Sequence, residues 1–270
     1  MNTTTWKDLL HPGDANDFFT RRNFLEFDPT TSNYRPANAL WLAELSRLVY
    51  RHDAEENTPP AQPTQSDILK QHGCTKRQFF ISRETDTQAM LVEFGGKAPY
   101  AVLAFRGTEQ HIKDFVTDLS IGQINHTDGK IAVHEGFKHA LDSIWNELEP
   151  ALKKINVPLF YTGHSLGAAL ATLAAARRSP TALYTFGSPR VGDADFVASL
   201  NGIAFLIHRI VDDQDVVTTL PPEELGFQHA GNERVLVVTS AHNFFSWLAG
   251  FFGPPKFLAD HAPINYVDRL

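Results

Sequence analysis

Apolar residues along this chain recur with two different periods, and stretches of each kind alternate. Between Pro36 and Val49, the residues Ala37, Leu40, Trp41, Leu45, Leu48 and Val49 fall at three- and four-residue steps, which puts one stripe of a helix against a core. Pro36 suits the first turn of that helix, where its missing N–H would have had no partner. Residues 53–66 carry Pro59, Pro60 and Pro63 and read as a surface loop. Short apolar runs at 89–94 and 100–105, joined through Gly95 and Gly96, predict two strands. Asp128 and Gly129 mark a tight turn into a strand over 130–133, and 136–154 has the spacing of an amphipathic helix that Pro158 closes.

The second half repeats this alternation. Residues 158–162 read as a buried strand, and 166–178 (LGAALATLAAARR) are strong helix formers. Strands over 182–186 and 205–211 flank a short helix at 193–200, and 234–239 predict a late strand. Strands alternating with helices predict an α/β fold with a largely parallel central sheet flanked by helices. Residues 1–35 are polar and irregular with scattered aromatics, and no role is assigned to them. No repeat and no linker between two cores is visible, so one domain over 1–270 is expected.

Composition narrows the class. A hydrophobic content of 43% and a charged content of 20% suit a globular chain with a sizeable core. The net charge of −7 argues against nucleic acid as a partner. Cys74 is the only cysteine, so the fold rests on packing without an intrachain disulfide. The first residues have no basic start followed by an apolar run, so no secretory signal peptide is expected. A cytoplasmic location or a signal-peptide-independent exit is the corresponding expectation. No apolar stretch reaches the roughly 18 residues of a transmembrane helix.

The strongest chemical signal is Gly163-His164-Ser165-Leu166-Gly167, a G-x-S-x-G pentapeptide between a predicted strand and a predicted helix. A serine at such a turn adopts an unfavourable backbone conformation, and the following helix comes close to the strand, so small residues are needed on both sides. A serine hydroxyl is a poor nucleophile at neutral pH. It needs a histidine base, and the histidine needs a carboxylate that fixes its tautomer and stabilises its cation. Asp212, Asp213 and Asp215 follow the strand at 205–211, and His229, His242 and His261 lie beyond them. Local spacing does not choose among these, because such a triad is assembled in space. His134 and His139 are five residues apart, whereas the helical zinc pattern needs four, so no metal site is implied.

From about residue 36 to the C-terminus the chain resembles the fungal-type, class three lipases, a family of triacylglycerol hydrolases with the α/β-hydrolase fold. The resemblance rests on ordered blocks: Phe105-Arg106-Gly107-Thr108, Val133-His134-Glu135-Gly136-Phe137, the pentapeptide with Ala168-Ala169-Leu170, Thr185 to Gly192 (TFGSPRVG), and Arg209 to Val217 (RIVDDQDVV) running into Leu220-Pro221-Pro222. It implies a triad of Ser165, Asp215 and His261. The acid precedes the apolar pair before the Leu-Pro-Pro turn, and the base follows Asp260 a few residues before Tyr266. Asp212 and Asp213 are then expected to be solvated or capping carboxylates, with one of them open to a supporting role. His229 is expected to be a structural hydrogen-bonding residue, and His164 the variable position of the pentapeptide.

Thr108 is the expected oxyanion-hole residue, with Leu166 supplying the second backbone N–H. A helix N-cap is the other role open to Thr108. Residues 109–119 correspond to a lid helix with Ile112, Phe115, Val116 and Leu119 on one face, and an ordinary surface helix is the other reading. The apolar stretch from Phe244 to Phe252 is core, acyl pocket or lipid contact. The implied substrate is an acylglycerol or another fatty-acyl ester, met at a lipid–water interface, with no cofactor. Phospholipase A1, a short-chain carboxylesterase with the same triad, and a catalytically silent lipid-binding protein are the alternatives.

Overall fold

The structure, a computed structural model, describes residues 4–51, 62–108, 112–121, 124–127, 131–237 and 254–270. In chain order these form α1 (Trp6–Leu10), α2 (Pro36–Leu48), α3 (Gln65–Gln71), β1 (Cys74–Ser82), β2 (Thr87–Phe94), β3 (Tyr100–Phe105), α4 (Ile112–Ile121), β4 (Ile124–Thr127), β5 (Ile131–His134) and α5 (Glu135–Leu152). They continue with β6 (Leu159–His164), α6 (Leu166–Arg177), β7 (Ala182–Phe186), α7 (Ala194–Asn201), β8 (Leu206–Asp212), β9 (Asn232–Leu236), α8 (Lys256–Ala259) and α9 (Pro263–Arg269). Seven strands make one sheet in the order β1-β2-β3-β6-β7-β8-β9. The two β1–β2 and β2–β3 pairings are antiparallel, and the pairings from β3 to β9 are parallel. The sheet is therefore mixed and mostly parallel, as the alternation of elements predicts.

Side chains of the central strands divide between two cores with the period of two that a pleated strand imposes. On β3, Tyr100, Val102 and Ala104 face one side and Ala101, Leu103 and Phe105 the other. The first side is covered by α2, α9 and the N-terminal segment. The second is covered by α5 and α6, with Phe137, Leu141, Ile144 and Leu148 as the apolar stripe of α5. Both central strands β3 and β6 are buried throughout, which is why they read as continuous apolar runs.

The structure departs from the sequence reading in four places. The N-terminal segment is not loose: Leu9, Phe18, Phe19 and Phe27 are buried in the first core, and Phe27 stacks on Tyr100 with centroids 4.2 Å apart. The end of the expected 53–66 loop is helical, because Thr64 and Asp67 form a reciprocal capping box that starts α3 at Gln65. β1 escapes a pattern search because it is an edge strand with a largely exposed, broken alternation. The last strand lies at Asn232–Leu236, two residues earlier than predicted, with 238–239 outside the described residues. The stretch 244–252 also lies outside the described residues. Among the described residues no helix is long and apolar enough to cross a membrane.

Candidate active site

Ser165 stands between β6 and α6 with φ +58° and ψ −129°, a conformation that side-chain-bearing residues rarely adopt. Backbone crowding holds it there. A Cβ on Gly163 would lie 2.3 Å from the carbonyl of Gly167, and a Cβ on Gly167 would lie 2.2 Å from the Phe105 carbonyl oxygen. The two glycines thus let helix and strand touch, as the pentapeptide requires. Ser165 donates its backbone N–H to Phe186 O, and its side chain is buried with Oγ unpartnered among the described residues. Leu166 is the first residue of α6, where a backbone N–H has no intrahelical acceptor.

The loop after β3 reaches this turn. A Cβ on Gly107 would lie 2.6 Å from His164 O and 3.3 Å from the Ser165 Cβ, so the Gly107 backbone rests against the serine and Thr108, half-buried, follows it. The helix expected over the site is α4. Leu119 is buried, Phe115 and Val116 are half-buried, and the Phe115 ring lies 6.4 Å from that of Phe137, while Asp114, Thr117 and Asp118 face outward. Residues 109–111 and the side chain of Ile112 lie outside the described residues.

Of the candidate acids and bases, the structure joins one pair. His261 Nδ1 lies 2.7 Å from Asp215 Oδ2, with both side chains buried. Asp215 Oδ1 accepts the Val217 N–H at 2.9 Å, and Oδ2 also accepts the Tyr266 hydroxyl at 2.6 Å. An ionised carboxylate only accepts, so Nδ1 of His261 carries the proton and Nε2 keeps its lone pair. That Nε2 is buried and unpartnered among the described residues, as is the Ser165 Oγ. Serine and histidine are neighbours through Gly187 and His164. Gly187 follows the carbonyl that binds the Ser165 amide, has φ +58°, and has room for no Cβ, which would lie 2.7 Å from Asp215 Oδ2 and 3.2 Å from His261 Cε1.

The other candidates do other things. Asp213 is exposed, as expected of a loop carboxylate. Asp212 is not solvated: it is fully buried and paired with Arg269, which also holds Asp260 at 2.8 Å. A buried carboxylate without such a partner would be costly, so the C-terminal helix completes the loop that carries Asp215. His229 donates its Nε2–H to Thr218 O at 2.7 Å, and burial pushes its pKa down to about 3, so it is a neutral structural residue as expected. His242 lies outside the described residues. Two contributors escaped the sequence. Tyr266 marks the end of the histidine motif, but nothing local shows that its hydroxyl reaches Asp215. His164 is a variable position by pattern, yet its ring is buried and packs 4.5 Å from the ring of His261.

A family model described as lipase (class 3) matches residues 102–225, which include Thr108, Ser165, Leu166 and Asp215. Over that segment the chain is similar to the class 3 lipases. It is 32% identical over 163 residues to a lipase of Rhizomucor miehei, a match that covers 55% of this chain and 44% of the relative. It is 36% identical over 147 residues to secreted mono- and diacylglycerol lipase 1 of Fusarium solani, covering 49% and 42%. The chain thus spans less than half the length of these curated relatives. Among solved structures, a mutant form of MDLA from Penicillium cyclopium matches with a TM-score of 0.60 and 24% identity over 76% of this chain and 79% of that one. The mostly parallel sheet flanked by helices is that of the α/β-hydrolases. His261 lies beyond the segment matched by the class 3 lipase model, and its bond to Asp215 is an observation of the structure.

Proposed function

We propose that this chain is a lipase of the class 3 family, a serine ester hydrolase that cleaves fatty-acyl esters of glycerol through Ser165, His261 and Asp215. The observation that carries the reading is the buried His261–Asp215 bond of 2.7 Å, made beside the strained serine turn with Nε2 left open. Ser165 Oγ attacks the ester carbonyl while His261 Nε2 takes its proton. Asp215 stabilises the imidazolium through Nδ1–H, and the Val217 N–H and Tyr266 hydroxyl hold the carboxylate in place. The tetrahedral oxyanion receives the backbone N–H groups of Leu166 and Thr108, each worth on the order of 3 kcal/mol in the transition state. Collapse expels the alcohol, which takes the proton from His261, and leaves the acyl group on Ser165. Water, deprotonated by His261, then releases the fatty acid and restores the serine. The inward face of α4, with Phe115, Val116 and Leu119, supports an acyl chain as the group covered by a lid.

The test is turnover of emulsified triacylglycerols of graded chain length, phospholipid vesicles and 4-nitrophenyl butyrate by purified chain, beside the Ser165→Ala variant. Hydrolysis of triacylglycerols that Ser165→Ala abolishes without lowering the melting temperature is the expected result. Preference for phospholipid or for the short ester would replace the substrate class but keep the triad. No hydrolysis, together with no labelling of Ser165 by a fluorophosphonate, would overturn the reading in favour of a silent lipid-binding protein.

A further inference from the structure

We infer that His164 is a positioning residue for the catalytic base: it ties the His261 loop to the nucleophile turn through a hydrogen bond to the backbone of His261, with Tyr50 setting its tautomer. This rests on the triad reading above. The ring of His164 leaves β6 on the face shared with Phe160, toward α2 and the C-terminal segment, while Ser165 follows one peptide later. His164 Nε2 lies 2.7 Å from His261 O. A carbonyl oxygen only accepts, so Nε2 carries the proton, and in a neutral ring Nδ1 is then an acceptor. The Tyr50 hydroxyl, 3.3 Å from Nδ1, is the matching donor. The same hydroxyl lies against the oxyanion loop, since a Cβ on Gly107 would be 2.2 Å from it.

His164 must be neutral to do this. Its ring centroid is 4.5 Å from that of His261, and a charged imidazole there would oppose the imidazolium that forms during catalysis. Complete burial, with the neighbouring His261 as a second cause, keeps the His164 ring well below the usual histidine range. His261 sits between the short helices α8 and α9, and its own N–H goes to Leu258 O at 3.1 Å. The bond from His164 is thus the link between its backbone and the peptide that bears the nucleophile. Because consecutive Cα atoms are a fixed distance of about 3.8 Å apart, holding His261 through His164 fixes the base relative to Ser165. A misplacement of about 1 Å between reacting groups costs on the order of a hundredfold in rate.

The experiment uses the His164→Leu, His164→Gln and Tyr50→Phe variants of the whole 270-residue chain with 4-nitrophenyl butyrate, reading kcat and KM separately beside the melting temperature. Leucine fills similar space but donates nothing, whereas the glutamine amide restores a donor to the His261 carbonyl. The expected result is kcat lowered about tenfold or more in His164→Leu with KM within about twofold, and recovered to within about threefold of wild type in His164→Gln. Tyr50→Phe should fall between them, and decides the matter if the His164 variants do not fold. Equal kcat in the leucine and glutamine variants, whether both are near wild type or both depressed, would overturn the positioning role, as would an unchanged Tyr50→Phe. Wild-type chain that turns over no ester would instead overturn the hydrolase reading and the positioning role with it.

Discussion

Ser165 and His261 are held by different forces. Around the serine, position comes from contact between backbones: Gly163 touches Gly167, and Gly167 touches the last residue of β3, with no polar bond to the hydroxyl among the described residues. Around the base the order is reversed. Loops after β8 and between α8 and α9 carry Asp215 and His261, and directed bonds from Val217, Tyr266 and His164 orient them. Crowding is intolerant of any added atom. Hydrogen bonds, here from the neighbouring Val217 and from the distant Tyr266 and His164, are removed one at a time. The nucleophile is therefore an all-or-none feature of the fold, and the base is adjustable.

The largest effect that distinguishes the two halves is expected for Asp215→Asn, which presents His261 with the wrong hydrogen-bonding partner. Turnover of 4-nitrophenyl butyrate should fall by about 10⁴-fold. Asp212→Asn should instead leave most of the turnover per folded molecule and cost about 3 kcal/mol of stability, because Arg269 loses one of its two buried carboxylates. Urea unfolding and kinetics on both variants decide this, and a larger catalytic loss at Asp212 would show that the triad acid is misassigned.

On the crowded side, Gly167→Ala places a methyl group 2.2 Å from a backbone oxygen that cannot rotate away. A loss of more than about 3 kcal/mol, or no folded protein at all, is expected. Gly202→Ala is the control. It ends α7 at φ −80°, and the nearest atom to its Cβ would be 3.6 Å away. Its melting temperature should match or slightly exceed that of wild type. Similar destabilisation by both alanines would show that crowding does not hold the elbow.

Tyr266→Phe is the counterpart on the polar side. Only a hydroxyl leaves, the ring keeps its place beside Phe186 and His164, and Asp215 keeps Val217 and His261. A loss of about 2 kcal/mol in transition-state stabilisation, or roughly thirtyfold in kcat, is expected with a shift of only a few degrees in melting temperature. If activity and stability fell in proportion, the hydroxyl would be holding the fold rather than the carboxylate.

The same contrast explains what was legible in the sequence. The elbow was readable because its causes are local: a strand, two glycines and an alanine-rich helix stand together between 159 and 177. Residues from Ser165 alone could not choose Asp215 over Asp212, or His261 over His229, since those choices depend on Tyr266 and Arg269 arriving from the C-terminus. Family resemblance supplied the pairing, and the buried bond between Asp215 and His261 agrees with it. Resemblance did not supply Asp212 as a buried ion pair, nor any use for His164. The N-terminal segment was opaque for the same reason. Its aromatics show no period, but Phe18, Phe19 and Phe27 find a common core only once α2 and α9 are in place, where Arg21 pairs with Asp268 and Thr4 meets Asn265.

Polar support reaches beyond the site into that N-terminal brace, and its effect there is the smallest expected and depends on pH. Glu44 is fully buried on α2, accepts the Phe19 N–H at 2.9 Å and lies 3.2 Å from Arg47, which also pairs with Asp17. Burial is the dominant influence and pushes the Glu44 carboxyl up to about 7 from an ordinary 4.5, against the pull of Arg47 and the Phe19 amide. A carboxyl raised in the folded state binds its proton more tightly there than in the unfolded chain. Its contribution to stability is therefore complete below about pH 4.5 and is lost as pH rises through about 7. Glu44→Gln keeps a neutral group of the same shape and has no such loss. The stability of wild type relative to Glu44→Gln should accordingly fall by about 1 kcal/mol between roughly pH 6 and pH 8, measured by urea unfolding at constant ionic strength. A difference that stays flat, or that rises with pH, would mean that Arg47 and the Phe19 amide outweigh burial and that Glu44 is ionised throughout, making the brace an ion pair of the same kind as Asp212 with Arg269.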